Sequence, residues 1–234
     1  MSTVRLGRQP STSQAELSHI ALTLFVEHGF DNTTVDDIAS AAGIGRRTFF
    51  RYFSSKNDLP WGDFETQLAS MRAFLASLPT ELPLIDALCM AVIEFNRLPP
   101  AEITYHRRRM ELLLTVPTLV AHSTLRYAAW RQVVADYAAE RMRVPSDSLE
   151  PQAIAWAVLG VSLSAYEQWL KELDADLPTL LSSAFEMVRL SFAGASAGAG
   201  AGTARAASGA SDAGGAANAV GVPDAGGRDG RHAD

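Results

Sequence analysis

"DNTTVDDIASAAGIGRRTFFRYFSSKNDL", residues 31–59, carries two helical signals on either side of an Ala-Ala-Gly turn. Thr34 stands three residues before Asp37, the spacing at which a hydroxyl caps a first turn while the acid reaches back. Val35, Ile38, Ala39 and Ala42 form one apolar face that stops at Gly43. A third helix is expected from about Arg46 to Tyr52, with Phe49 and Phe53 one turn apart as its core contacts. Upstream, Ser13 and Glu16 repeat the capping spacing, and Leu17, Ile20, Ala21, Leu24 and Phe25 mark a first helix closed by His28 and Gly29. Downstream, Ser55 and Asp58 predict the cap of a long fourth helix that continues past Trp61, Phe64, Leu68, Met71 and Leu75 to about Leu78.

Helix, short helix, glycine turn and basic short helix form the outline of a helix-turn-helix, whose last element enters the DNA major groove. Charge supports it. Residues 1–60 are neutral, six bases (Arg5, Arg8, Arg46, Arg47, Arg51, Lys56) facing six acids, while the whole chain is −6. Yet residues 44–57 hold four of those bases and no acid. One compact basic stretch in an acidic chain indicates a local phosphate contact and argues against a nonspecific architectural DNA binder. Arg46, Arg47 and Thr48 sit where side chains reach base edges, Arg51 and Lys56 where they reach phosphates, and Phe50 and Tyr52 where rings lie against sugar and phosphate.

The 234 residues are 47% hydrophobic, enough to bury a core. The longest uncharged apolar stretch, "AIAWAVLGVSLSAY" at 153–166, is too short and too rich in small and hydroxyl residues to span a bilayer. The N-terminus lacks a secretory pattern and Cys89 is the single cysteine, so a cytoplasmic protein is expected. An all-α enzyme, the other alternative, lacks support: the five histidines are dispersed, Cys89 lies on an apolar face, and there is no glycine-rich phosphate loop. Neither a cofactor nor a metal site is expected.

From Leu82 to about Ala193, prolines at 99–100, 117, 145–151 and 178 divide five further helices. The fold class is therefore all-α. The expected boundaries are an arm at 1–12, the helix-turn-helix domain at 13–58, a helical ligand-binding and dimerisation domain at 59–193, and a Gly/Ala-rich tail at 194–234 expected to be disordered. The helix at 150–170 is apolar nearly all round, and with the last helix, starting near Asp176, it could form a four-helix bundle in a homodimer. Polar groups on apolar faces mark a candidate ligand pocket. His122 and Arg126 interrupt a stripe that includes Trp130, Asn96 follows Ile85, Cys89 and Val92, and Trp156 sits on the apolar penultimate helix. "HRRRM" at 106–110, which includes Arg109, suggests a mouth for an anionic head group, and hence a long-chain acyl-CoA as effector.

Residues 31–59 resemble the N-terminal domain of the TetR family of bacterial transcriptional regulators: a Thr-capped second helix, Ile-Ala-x-x-Ala-Gly, an aromatic recognition helix ending in Tyr-Phe, and a lysine one turn on. "GIGRRTFFRYFSSKNDLPWGDFE" is also similar to regulators found with mycofactocin biosynthesis loci. The resemblance implies phosphate contacts from Thr34, Tyr52 and Lys56, and base or backbone contacts from Gly45, Arg46, Arg47, Thr48 and Arg51. Two positions depart from it. Phe50 replaces a tyrosine that meets a phosphate, and Arg47 replaces a common glycine. The function implied is that of a ligand-released repressor, a homodimer on a palindromic operator in double-stranded DNA.

Overall fold

The computed structural model describes residues 12–190. The expected arm and Gly/Ala-rich tail therefore lie almost wholly outside the described residues. Among the described residues nine α-helices follow in order: α1 (Gln14–His28), α2 (Val35–Ala41), α3 (Arg46–Tyr52), α4 (Phe64–Ser77), α5 (Leu84–Phe95), α6 (Ile103–Thr115), α7 (Pro117–Met142), α8 (Leu149–Lys171) and α9 (177–190). Two 3-10 helices, Lys56–Trp61 and Pro100–Glu102, precede α4 and α6. The described residues contain no strand, so the architecture is all-α.

Local chemistry sets the helix starts. The Thr34 capping box closes both ways: its hydroxyl accepts from Asp37 N at 3.1 Å and its main-chain N donates to Asp37 Oδ2 at 2.8 Å. At α1 only half the expected box forms. Ser13 Oγ accepts from Glu16 N, but the Glu16 carboxylate turns to the Thr12 hydroxyl at 3.1 Å. Gly43, with φ +64°, makes the turn between α2 and α3, a conformation that strains residues bearing a Cβ.

Packing begins inside the first three helices. Leu17, Ala21, Ile38 and Phe49 are completely buried, and Phe25 and Phe53 nearly so. This reading head is continuous with a larger core built from α4 to α9, in which α7 packs along α8. Each fully buried aliphatic or aromatic side chain contributes about 1.5–3 kcal/mol before entropy is set against it.

One expected element is different. Ser55 and Asp58 do form a capping box, but on the 3-10 helix Lys56–Trp61 and not on a long fourth helix. Pro60 lacks an N–H and Gly62 adopts φ +57°, ψ −138°, so the chain cannot continue helically; a fresh cap, Asp63 accepting from Thr66 N at 3.3 Å, then starts α4. The expected domain edge at 58/59 falls inside this 3-10 helix.

Candidate nucleic-acid interface and interior cavity

The outer face of α3 is basic and aromatic because its inner face takes Phe49 and the cap residue Phe53 into the core. Phe50 is 46% exposed. Beside it, the Arg46 guanidinium lies 5.4 Å from the Phe50 ring and pairs with Asp36 at 2.9 Å. Arg51 sits 5.2 Å from the Tyr52 ring and donates to its hydroxyl at 3.3 Å. Tyr52 itself is tied to α1, its carbonyl accepting from Gln14 Nε2 at 3.0 Å. Arg47 is exposed, with no hydrogen-bond or ion-pair partner among the described residues. Gly45 opens the helix, with nothing within 4 Å of where a Cβ would stand, and Thr48 lies one turn on, half-buried.

Two residues expected on phosphate are otherwise engaged. Thr34 has neither a free O–H nor a free N–H, since both donate to Asp37 Oδ2. The Lys56 ammonium donates to the carbonyls of Phe30 at 2.7 Å and Thr33 at 2.9 Å and lies 4.3 Å from the Phe30 ring. Burial lowers its pKa, against a weaker opposing pull from Asp31. This lysine braces the loop between α1 and α2 from behind, with two of its three donors in use.

Inside the larger core lies a cavity of about 230 Å³. Trp61, Phe64, Phe95, Trp130 and Leu159 give it apolar walls, while Asn96, His106, Arg109, Tyr127 and Tyr166 bring polar groups. Of the six residues expected there, Asn96, Arg109 and Trp130 line it. His122, Arg126 and Trp156 do not. His122 and Arg126 turn to the buried Asp58 instead, and Trp156 stands 57% exposed on α8, under the Arg131 guanidinium at 3.5 Å.

His106, Tyr127, Tyr166 and Trp61 were missed by sequence reasoning. His106 could have been found, because it sits three residues before Arg109 and so shares its helix face. The three arginines separate as consecutive helical positions must. Arg107 stacks 4.0 Å over Trp169 and donates to the carbonyls of Trp169 and Leu173, Arg108 is exposed, and Arg109 faces inward. A buried hydrogen-bond chain runs along the wall: Asn96 Nδ2 donates to Val92 O at 2.7 Å, the Tyr166 hydroxyl donates to Asn96 Oδ1, and His106 Nε2 lies 2.8 Å from that hydroxyl. Burial first, and Arg109 second, push the His106 pKa down to about 3.

Asp58 joins the two regions. Its Oδ1 accepts from His122 Nε2 and Arg126 Nη2, both at 2.8 Å, and its Oδ2 from Ser55 N at 3.0 Å. Burial alone would raise its pKa, but the hydrogen bonds from Arg126, His122 and Ser55 outweigh it and hold the carboxyl below 3.8. The same 3-10 helix therefore braces the reading head through Lys56, grips α7 through Asp58 and enters the cavity wall through Pro60 and Trp61.

Among the described residues no group of His, Cys, Asp or Glu is placed to hold a metal ion, and no helix is long and apolar enough to cross a membrane. Residues 19–59 match the family model described as bacterial regulatory proteins of the tetR family, and residues 82–193 match that of the MftR C-terminal domain. A protein named as a candidate mycofactocin biosynthesis transcriptional regulator, MftR, of Mycobacterium tuberculosis is 45% identical over 184 residues, covering 79% of this chain and 93% of that protein. The transcriptional regulator TcmR of Streptomyces glaucescens is 30% identical, over 76% of this chain and 82% of its own. The fold is shared with the fatty acid degradation regulator FadR of Bacillus halodurans at TM-score 0.55 and 17% identity, over 73% of this chain and 95% of that one. With a tetR-type reading head, an MftR-type C-terminal domain and a relative of this identity aligned over nearly its full length, the chain belongs to the TetR family of transcriptional regulators.

Proposed function

We propose that this regulator is a cytoplasmic, homodimeric repressor that leaves its operator when an acyl-CoA-like effector enters the interior cavity, and that mycofactocin genes are among its targets. The observation that carries this reading is the shared 3-10 helix Lys56–Trp61. Whatever displaces Pro60 and Trp61 from within also loads the Asp58 contacts to α7 and the Lys56 brace behind the reading head. DNA contact falls to Gly45, Arg46, Arg47, Thr48, Phe50, Arg51 and Tyr52 on α3, with Lys56 and Thr34 joining if their present partners yield.

The cavity supports the effector class by its size and lining. At about 230 Å³ it is smaller than the roughly 300–1,000 Å³ usual for a whole drug-sized ligand. It therefore takes an acyl chain and leaves a nucleotide outside. The dimer reading rests on α8. Leu149 and Trp156 are 79% and 57% exposed there, and Ala153 and Gly160 continue the same apolar, small-residue stripe. A second copy covering that stripe would set two α3 helices against a palindrome.

A band-shift assay on DNA flanking the protein's own gene tests the proposal, with palmitoyl-CoA, free CoA and palmitate added in turn. Sequence-specific binding released by palmitoyl-CoA alone is the expected result. Equal release by free CoA, or no release by any of the three, overturns the effector assignment. Binding indifferent to DNA sequence overturns the repressor itself.

A further inference from the structure

The hydrogen-bond chain in the cavity wall has a forced direction. A carbonyl can only accept, so the contact with Val92 O must be made by the Asn96 amide nitrogen, and Asn96 Oδ1 is left facing Tyr166. The Tyr166 hydroxyl carries one proton, kept there by a pKa that burial raises, and donates it to Asn96 Oδ1. Toward His106 the tyrosine oxygen then has only a lone pair, so the 2.8 Å contact is an N–H donated by His106 Nε2. A neutral imidazole has one N–H, which leaves Nδ1 as a bare acceptor. That atom is buried without a partner. Protonating it is no escape, because burial and Arg109 hold the ring neutral down to about pH 3.

Three other buried groups of the same cavity lack partners: Arg109 Nε and Trp61 Nε1, both donors, and the Tyr127 hydroxyl, which can donate or accept. Unmatched buried polar atoms in an otherwise apolar site discriminate strongly between ligands that satisfy them and those that do not. We propose that the ligand of this cavity must bring an N–H or O–H donor to His106 Nδ1 together with an oxygen acceptor for Arg109 or Trp61, carried on an apolar chain. This rests on the reading of the cavity as the effector site and narrows it. Among acyl compounds it selects thioesters on an amide-bearing arm, as in pantetheine, whose N–H follows a few bonds after the thioester. A free carboxylate or a simple thioester offers acceptors only. A long-chain alcohol offers the same pair of functions in a single hydroxyl.

Tryptophan fluorescence, with Trp61 and Trp130 in the cavity wall, reports binding directly. Two matched pairs separate the cases: S-dodecanoyl-N-acetylcysteamine against S-ethyl dodecanethioate, and 1-dodecanol against its methyl ether. The donor-bearing member of at least one pair is expected to bind about tenfold tighter or more. His106→Leu removes that preference, and His106→Gln, which keeps both an N–H and an acceptor, retains it. Preference in the thioester pair supports the acyl-CoA-like effector. Preference only in the alcohol pair keeps the donor requirement and removes the thioester. Equal binding within both pairs, no binding by any of the four, or a preference that survives His106→Leu overturns the proposal. Nitrogen-15 spectra of the ligand-free protein, with His106 assigned by its loss in His106→Gln, test the premise independently: Nδ1 should be unprotonated, and a proton there also overturns the proposal.

Discussion

At the scale of single residues, the DNA-facing surface is a question of which cations are uncommitted. Arg46 is held by Asp36, Arg51 lies against Tyr52 and Lys56 braces two carbonyls, so Arg47 is the guanidinium on α3 with no partner to give up. Arg47→Ala should therefore weaken operator binding by about 1–3 kcal/mol if it reads a base. Fluorescence anisotropy at two salt concentrations separates the cases, since a pure phosphate contact would lower the salt slope by about one unit and spare specificity. The melting temperature should hardly move, because the side chain is exposed and alanine favours the helix. The placement of these residues was legible because caps and turns are local: Thr34 and Asp37, Gly43, and Phe49 lie within a few residues of what they govern. Their partners were not. That Arg126 meets Asp58, 68 residues away, depends on how α7 packs, and no spacing encodes it.

At the scale of elements, the informative piece is the six-residue 3-10 helix. Its existence was written in Pro60, Gly62 and Asp63, a breaker, a positive-φ position and a new cap in succession, but the apolar spacing of Trp61, Phe64 and Leu68 fits an unbroken helix and masks them. Asp58→Asn should destabilise the fold by about 2–3 kcal/mol, since the neutral amide no longer compensates the Arg126 charge, whose remaining carboxylate is Glu65 at 3.6 Å, and its Nδ2 cannot accept from Ser55 N. The pH dependence has a definite sign. The folded pKa of Asp58 lies below 3.8, so its stabilisation is complete above the unfolded value and is lost as pH falls through the folded one. Chemical denaturation from pH 5 to pH 2.5 should show a shallower acid-side decline in Asp58→Asn than in the wild type. Equal slopes would mean that the carboxylate is not held by these partners.

At the scale of the whole molecule, α8 was legible as an apolar helix, but its two sides were not separable from composition. Ala155, Val158 and Ser162 are buried against the rest of the chain, while Leu149, Trp156 and Gly160 face outward. Trp156→Glu should shift the protein toward monomer in sedimentation velocity and abolish operator binding, with helicity unchanged by circular dichroism. A dimer that persists would place the interface elsewhere.

The break at Gly62 has a mechanical consequence. Because α4 is not one rod with the element behind the reading head, the junction would act, on the proposed mechanism, as a clutch engaged through Pro60 and Trp61. A second void, lined by Thr66, Gln67, Ser70, Met71 and Phe74 on α4 with Ala91, Glu94 and Phe95 from α5, shares Gln67 and Phe95 with the first cavity but touches neither Pro60 nor Trp61. Compounds lodged there should be silent occupants, measurable by calorimetry yet without effect on operator affinity, and by thermodynamic reciprocity operator DNA should leave their own affinity unchanged.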